Sequence, residues 1–185
     1  MRLENSFEVD ASADAAWRLL NDVPAVVPCM PGAELVEVAG DDAWKANLRV
    51  KLGPIGLQFV ADITRDELDE GSRRVVLTSK ARESKGRGSA EATIGSTVVD
   101  LGGRTRVDVT TDVALRGAVA QYGSGVLADV ASRLTEQFAA CLSAKLADDS
   151  AVTAPEPADA HPASQPVGGL RLVLGALVRS LFRRR

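Results

Sequence analysis

One long amphipathic stretch late in the chain constrains the fold more than any other feature. From about residue 119 to residue 146 the sequence contains no proline, and its apolar residues recur at helical spacing. They are Val126, Leu127, Val130, Leu134, Phe138, Cys141 and Leu142. A helix of roughly 25 residues is about 37 Å long. Its apolar side therefore needs a cover as long as a small domain, and the preceding residues must supply that cover.

The residues before this helix predict an antiparallel meander. Residues 2–9 alternate as a half-buried strand, and Ser12 follows as the N-cap of a short helix. After two prolines and a Pro-Gly break, six further strands are predicted, joined by short turns rich in Gly and Asp. They cover residues 33–38, 44–52, 57–63, 73–82, 89–99 and 105–115. The predicted fold class is α+β, with a curved antiparallel sheet around the long C-terminal helix.

Small side chains occupy many of the positions that should face the helix. They are Ala46, Ala61, Ser79, Ala81, Ala90 and Ala92. Two structures fit this pattern equally well: a sheet packed tightly on the helix at its alanines, or a sheet that encloses an apolar cavity. An empty apolar cavity costs about 24 cal/mol per Å³, so a large cavity would be expected to hold a ligand.

The charge distribution divides the chain. The net charge is −3, yet five arginines and no acidic residue follow Gly168. An acidic body with a basic end argues against a nucleic-acid-binding domain. We interpret residues 1–146 as the folded domain and residues 147–169, which hold four prolines and four acids, as a disordered linker.

Residues 170–185, LRLVLGALVRSLFRRR, are predicted to form a basic amphipathic helix. Its apolar run is shorter than the roughly 20 residues that span a bilayer, and its arginines suit an anionic lipid surface. The predicted membrane-binding residues are Leu170, Val173, Leu174, Leu177, Leu181, Phe182, Arg183, Arg184 and Arg185. Two alternatives for this helix stay open: it docks on a partner protein, or it folds back on its own domain. The long linker argues against the second.

Catalytic and metal chemistry is not predicted. The one histidine, His161, lies in the linker, and the strands carry no inward carboxylate pair or nucleophile elbow. No catalytic residue and no metal ligand is therefore assigned. Cys29 and Cys141 are expected to be free thiols in a reducing cytosol. The charged N-terminus has no secretory signal, which predicts a cytoplasmic protein.

Three motifs, in this order, resemble the CoxG family of carbon monoxide dehydrogenase subunits, which are START/Bet v 1-like (SRPBCC) helix-grip proteins. The first is the turn Pro28-Cys29-Met30-Pro31-Gly32-Ala33, and the second is Lys51-Leu52-Gly53-Pro54-Ile55 with Phe59. The third runs from Gly117 through Gln121 to Ser124 at the entry to the last helix. The resemblance covers nearly all of residues 1–146, although the glycine-rich stretch of the family is shortened here to residues 85–88.

The resemblance implies a helix-grip domain with an apolar cavity and a non-catalytic role beside a molybdenum-containing CO dehydrogenase. Such an enzyme is soluble, while its electrons must reach a respiratory chain. We hypothesise that the domain binds a lipophilic quinone, menaquinone above all, as a non-covalent ligand. It would recruit the dehydrogenase to the anionic surface of the inner membrane, as a peripheral protein on the cytoplasmic face.

The expected ligand-binding residues are apolar positions of the strands and the long helix, with two polar side chains for a quinone carbonyl. They are Met30, Leu48, Leu57, Phe59, Leu77, Val109, Gln121, Tyr122, Val126, Val130, Leu134 and Phe138. Tyr122 is equally well explained by packing at the start of the helix. An enzyme is the weakest alternative. An assembly or maturation factor for the hydroxylase, without a quinone role, is a stronger one.

Overall fold

The computed structural model describes residues 1–52, 55–121 and 124–153. Seven strands form one antiparallel sheet in the order β1-β7-β6-β5-β4-β3-β2. Their bounds are Arg2–Val9 (β1), Ala33–Gly40 (β2), Ala43–Leu52 (β3), Ile55–Asp69 (β4), Arg74–Glu83 (β5), Gly88–Asp100 (β6) and Thr105–Gly117 (β7). The predicted meander is confirmed, with β1 added beside β7.

Short helical segments connect β1 to β2. They are α1 (Ala13–Asn21), α2 (Val23–Val26) and a first 3-10 turn (Val27–Cys29). Ser12 caps α1 as predicted, because its Oγ accepts a hydrogen bond from the Ala15 backbone N–H at 3.3 Å. Pro24 and Pro28 each occupy an early helical position, where the missing N–H costs no hydrogen bond.

The long C-terminal helix, α3 (Ser124–Thr153), is displaced from its predicted bounds. Residues Ala118–Gln121 form a second 3-10 turn instead of the first helical turn. At the other end α3 continues through residues 147–153, which the sequence assigned to the linker. The rest of the linker and the predicted membrane helix lie outside the described residues.

The main core lies where the second half of α3 meets β1, α1 and β7. Leu142 and Leu146 of α3 are 0 % and 2 % exposed, and Val107 of β7 is 0 % exposed. Phe138 meets Phe7 edge to face, with ring centroids 6.0 Å apart, an arrangement that aromatic pairs favour. Apolar burial at this end therefore fixes the helix on the sheet.

A disulfide joins Cys29 of the first 3-10 turn to Cys141 of α3. The expectation of two free thiols is wrong, because the fold brings two cysteines that are 112 residues apart in sequence to a Cα–Cα distance of 5.3 Å, within the usual range for a disulfide. The bond fastens α3 to the connection between β1 and β2.

We predict that replacing both cysteines with serine lowers the free energy of unfolding by about 4 kcal/mol, because the bond closes a long loop in the unfolded chain. Urea unfolding of the double variant and the parent protein measures this difference. Iodoacetamide should label neither cysteine in the native protein and both after reduction in urea. Labelling of both without reductant would show that the thiols are free.

Candidate functional site

The concave face of the sheet carries a row of four alanines across four neighbouring strands. Strand register places them opposite one another as Ala46, Ala61, Ala81 and Ala90, and Leu115 of β7 continues the row. The first three are at most 9 % exposed. Since neighbouring strands lie about 4.8 Å apart, the alanines form a shallow apolar band about 14 Å wide. We call these four residues the alanine band.

Larger apolar side chains border the alanine band. Leu57 and Phe59 of β4 are buried and pack with Ala61, Ala81 and Val119, and Leu48 and Val130 pack on the same cluster. Four of the expected ligand-binding residues, Leu48, Leu57, Phe59 and Val130, therefore lie together. The predicted inward alternation of β4 is confirmed, because the intervening Gln58 and Val60 are exposed.

The other expected ligand-binding residues are distributed around this cluster. Leu77 packs with Val23, Val27 and Trp44 beside it. Val109 and Phe138 pack instead on the core beneath the second half of α3. Met30 is half-buried in the Pro-Gly turn, Leu134 is half-buried on α3, and Gln121 is exposed. Tyr122 lies outside the described residues.

Helix α3 is covered unevenly along its length. Its main neighbours are β1, the first 3-10 turn and α1, and the core that they form with it contains Phe138, Leu142 and Leu146 of its second half. In its first half Leu127, Val130 and Leu134 are only partly buried, and Val126 is 42 % exposed. The apolar stripe that the sequence predicts to be buried therefore keeps accessible apolar surface in the first half of the helix.

A buried carboxylate on the concave face was missed by the sequence analysis. Glu83 lies opposite Phe59 across β4 and β5, and its side chain is 0 % exposed. The inward alternation of residues 75, 77, 79 and 81 continues to Glu83, so the signal was present. The predicted strand ended one residue too early, at residue 82.

Arg87 neutralises this carboxylate and connects three turns. Its guanidinium donates to Glu83 Oε1 at 2.7 Å and to the Gly56 carbonyl at the start of β4 at 2.9 Å. The backbone N–H groups of Lys85 and Arg87 donate to Glu83 Oε2. The Arg87 carbonyl accepts from the Val119 N–H in the second 3-10 turn. Through these contacts Glu83 and Arg87 connect the start of β4, the β5–β6 turn and the second 3-10 turn.

These contacts lower the pKa of Glu83 to about 2, through the hydrogen bond from the Arg87 side chain first and then the backbone N–H groups, against the opposing effect of burial. A carboxyl group with this pKa stays ionised at neutral pH. It cannot donate a proton there, and its oxygens are already occupied by donors. The arrangement is that of a structural ion pair rather than a general acid or base.

Two glycines let the β5–β6 turn meet the end of β7. Gly88 and Gly117 have φ angles of +147° and +78°. A Cβ on Gly88 would lie 2.1 Å from the Arg116 carbonyl oxygen, and a Cβ on Gly117 would lie 2.8 Å from the Gly88 Cα. This close approach requires glycine at both positions.

A separate cleft of about 590 Å³ lies between α1 and the β4–β5 turn. It is lined by Asp14, Trp17, Arg18, Asn21, Asp22, Leu68, Glu70 and Arg73, and an ion pair of 2.6 Å between Arg73 and Asp14 spans it. This cleft is distinct from the apolar cavity predicted between sheet and helix, which stays a prediction.

Within the described residues, no three His, Cys, Asp or Glu side chains are grouped so that they could hold a metal ion. No helix among those residues is both long and apolar enough to cross a bilayer.

Residues 6–147 match the family model of CoxG, a carbon monoxide dehydrogenase subunit. A search of curated proteins finds no match. Among solved structures, a conserved protein from Geobacillus kaustophilus superposes with a TM-score of 0.72 at 21 % identity, over 80 % of this chain and 97 % of its own.

Two more distant structures share the architecture. The ZhuI aromatase/cyclase from Streptomyces sp. R1128 superposes with a TM-score of 0.59 at 16 % identity, over 81 % of this chain and 95 % of its own. A START superfamily protein from Mycobacterium smegmatis gives 0.53 at 16 % identity, over 80 % and 97 %. At these identities the likeness shows the fold alone, and the predicted START-like helix-grip sheet and helix are confirmed.

We predict that Glu83→Gln removes a pH-dependent part of the stability. The lowered pKa means that ionised Glu83 stabilises the fold above about pH 4.5, and that this contribution is lost as the pH falls toward about 2. Between these values the parent protein should lose more stability than Glu83→Gln, which is already less stable at pH 7. Urea unfolding at several pH values measures this.

Glu91→Gln is the matched control, because Glu91 is an exposed carboxylate of the next strand. It should leave the pH profile almost unchanged. Parallel profiles for Glu83→Gln and the parent would contradict the assignment of a buried, ionised Glu83.

Proposed function

The chain belongs to the CoxG family of carbon monoxide dehydrogenase subunits, and we propose that it serves a molybdenum-containing CO dehydrogenase as a non-catalytic partner that binds a lipophilic quinone. The family description supports the association with the enzyme, and the apolar concave face supports the ligand class. In this proposal the protein links the soluble dehydrogenase to the membrane quinone pool, with menaquinone as the first ligand to test.

One observation carries the ligand proposal: the apolar surface of the first half of α3, together with Ala90 of the alanine band, is incompletely covered by the protein itself. Val126, Leu127 and Val130 keep accessible surface on the helix, and Ala90 does so on the sheet. Covering apolar surface stabilises by about 25 cal/mol per Å². An isoprenoid chain lying along the first half of α3 beside Ala90 would supply that cover.

The polar end of a quinone would then lie near the start of α3. Gln121 is exposed in the second 3-10 turn, where its amide N–H can reach a quinone carbonyl. Tyr122 follows it in sequence and is the second proposed donor. Ligand pockets commonly combine an apolar wall with a few such polar groups.

The ion pair of Glu83 and Arg87 supports a binding role over a catalytic one. On the concave face Glu83 is the carboxylate nearest to the alanine band among the described residues, lying opposite Phe59, and its ionisation is fixed by Arg87. The resemblance to an aromatase/cyclase concerns the fold and assigns no reaction to this chain.

We predict that Ala90→Phe weakens the binding of a short-chain menaquinone by about tenfold or more, because the ring fills the alanine band that the ligand needs. Quenching of tryptophan fluorescence on titration measures the dissociation constant, and Trp44 lies in the neighbouring cluster. Ala114→Phe is the matched control, since Ala114 is exposed on the adjacent strand β7 and the variant should bind as the parent does.

Equal binding by the two variants would place the quinone elsewhere. Absence of saturable quenching by the parent, together with no quinone in an organic extract of protein purified from its own membranes, would remove the quinone role. The assembly-factor hypothesis would then stand in its place.

We also predict that deleting residues 168–185 leaves the thermal unfolding of the domain unchanged and moves the protein from the membrane to the soluble fraction. The reason is the apolar and basic pattern of residues 170–185, which suits an anionic lipid interface. Cell fractionation followed by immunoblotting measures the shift. A truncated protein that stays fully on the membrane would show that this segment is dispensable for attachment.

A further inference from the structure

A group of exposed cations surrounds one end of the sheet, where β4, β6 and α3 begin. They are Arg49, Lys51, Arg82, Lys85 and Arg116, and we call them the basic rim. Arg49 and Lys51 lie near the end of β3, Arg82 lies near the end of β5, and Arg116 lies near the end of β7. Lys85 lies in the turn between β5 and β6.

Strand register places the rim residues of the strands on the outer face of the sheet. Arg82 of β5 lies opposite Ser89 of β6, which in turn lies opposite Arg116 of β7. The two arginines are therefore about 10 Å apart, two strand spacings. Arg49 of β3 lies opposite the exposed Gln58, on the face away from Phe59. The cations of the strands therefore share one face at one end of the sheet, with neutral residues such as Gln58 and Ser89 between them.

None of the five rim residues forms an ion pair within the described part of the chain. The carboxylate nearest to them in sequence, Glu83, is turned to the concave face and paired with Arg87. The next row of outer-face residues away from this end does contain acids, because Asp62 of β4 and Glu91 of β6 lie on either side of Lys80 of β5. Strand pairing places Glu34, on the edge strand β2, in the same cross-strand row as Arg82 and Arg116, and it is the one acid in that row. In a chain of net charge −3, this is a marked local excess of positive charge.

Exposed apolar side chains accompany the rim. Ile55, the first residue of β4, is 38 % exposed, and Val126 in the first turn of α3 is 42 % exposed. The hydrogen bonds that Arg87 makes with Gly56 and Val119 hold the β4 start and the approach to α3 at this same end. By strand alternation Ile55 lies on the concave face with Leu57, so apolar side chains on the concave face and cations on the outer face meet at this end. This combination matches the boundary between anionic headgroups and acyl chains.

We propose that the basic rim docks the folded domain on an anionic lipid surface, with Ile55 at the headgroup level, in addition to any attachment by the C-terminal segment. This inference rests on the proposed function and deepens it, because it names the face that meets the lipid. It orients the first half of α3 and Ala90, the accessible residue of the alanine band, toward the membrane. A lipophilic ligand could then pass between bilayer and band without crossing water.

The test compares full-length Arg82→Gln/Arg116→Gln with a matched control, Arg18→Gln/Arg104→Gln, which removes two exposed arginines outside the rim, one in α1 and one in the β6–β7 turn at the opposite end of the sheet. Binding is measured by co-sedimentation with quinone-free vesicles of phosphatidylcholine and phosphatidylglycerol, mixed about 3:1. Each basic residue near such a surface strengthens partitioning about 5-fold, so the rim variant should bind about 25-fold more weakly than the parent. The control should bind within about twofold of the parent, because its arginines face away from the lipid in this orientation.

Equal losses in the two variants would show only an effect of total charge and would overturn the proposal. Unchanged vesicle binding by the rim variant would also overturn the proposal. If that variant then lost binding to the dehydrogenase, the rim would be a contact for the enzyme instead of for lipid. Because the vesicles contain no quinone, failure here leaves the quinone titration of Ala90→Phe unaffected, and the two hypotheses fail separately.

The orientation is tested by labelling Ile55→Cys with an environment-sensitive fluorophore in the full-length chain. The control is Leu101→Cys, because Leu101 is similarly exposed at 42 % and follows the opposite end of β6, about 40 Å along the strand. Vesicles should shift the emission of the label at residue 55 to the blue and leave that at residue 101 unchanged. Equal shifts, or a shift at residue 101 alone, would overturn the proposed orientation.

Discussion

The fold depends on how the second half of α3 is held. Leu142 and Leu146 are buried against β1, α1 and β7, and the bond between Cys29 and Cys141 fastens the same segment to the β1–β2 connection. Apolar burial and a covalent link therefore act on one half of a helix of 30 residues. The other half carries the same kind of apolar stripe without an equivalent cover among the described residues, so the helix is packed at one end of the domain and open at the other.

At the open end a single ion pair organises the backbone. Glu83 and Arg87 connect the start of β4, the β5–β6 turn and the second 3-10 turn. A buried carboxylate is costly unless it is paired and hydrogen-bonded, and here its oxygens accept from a guanidinium and two backbone N–H groups. Arg82 and Arg116, on the outer face of the same end, have no acidic partner among the described residues.

These two features fit one working picture of a CoxG family member. The packed end stabilises the domain, and in the proposed function the first half of α3 and Ala90 offer their accessible apolar surface to a lipophilic molecule. The basic rim lies at the same end, on the outer face of the sheet. In the proposed function the protein exchanges a quinone between a bilayer and a dehydrogenase, so its apolar surface must open toward the lipid, and cations at that end are consistent with this requirement.

The sequence alone determined the order of strands and helices, because alternation and helical spacing are local patterns, as in residues 2–9 and in the stripe of Val130, Leu134 and Phe138. It also contained the motifs of the family. Tertiary structure decided what depends on residues distant in the chain. Register aligned Ala46, Ala61, Ala81 and Ala90 into one band, and helix docking brought Cys29 to Cys141 and assigned Val109 and Phe138 to the core. The same packing left Val126 exposed, because periodicity identifies an apolar face but not how much of that face finds a partner.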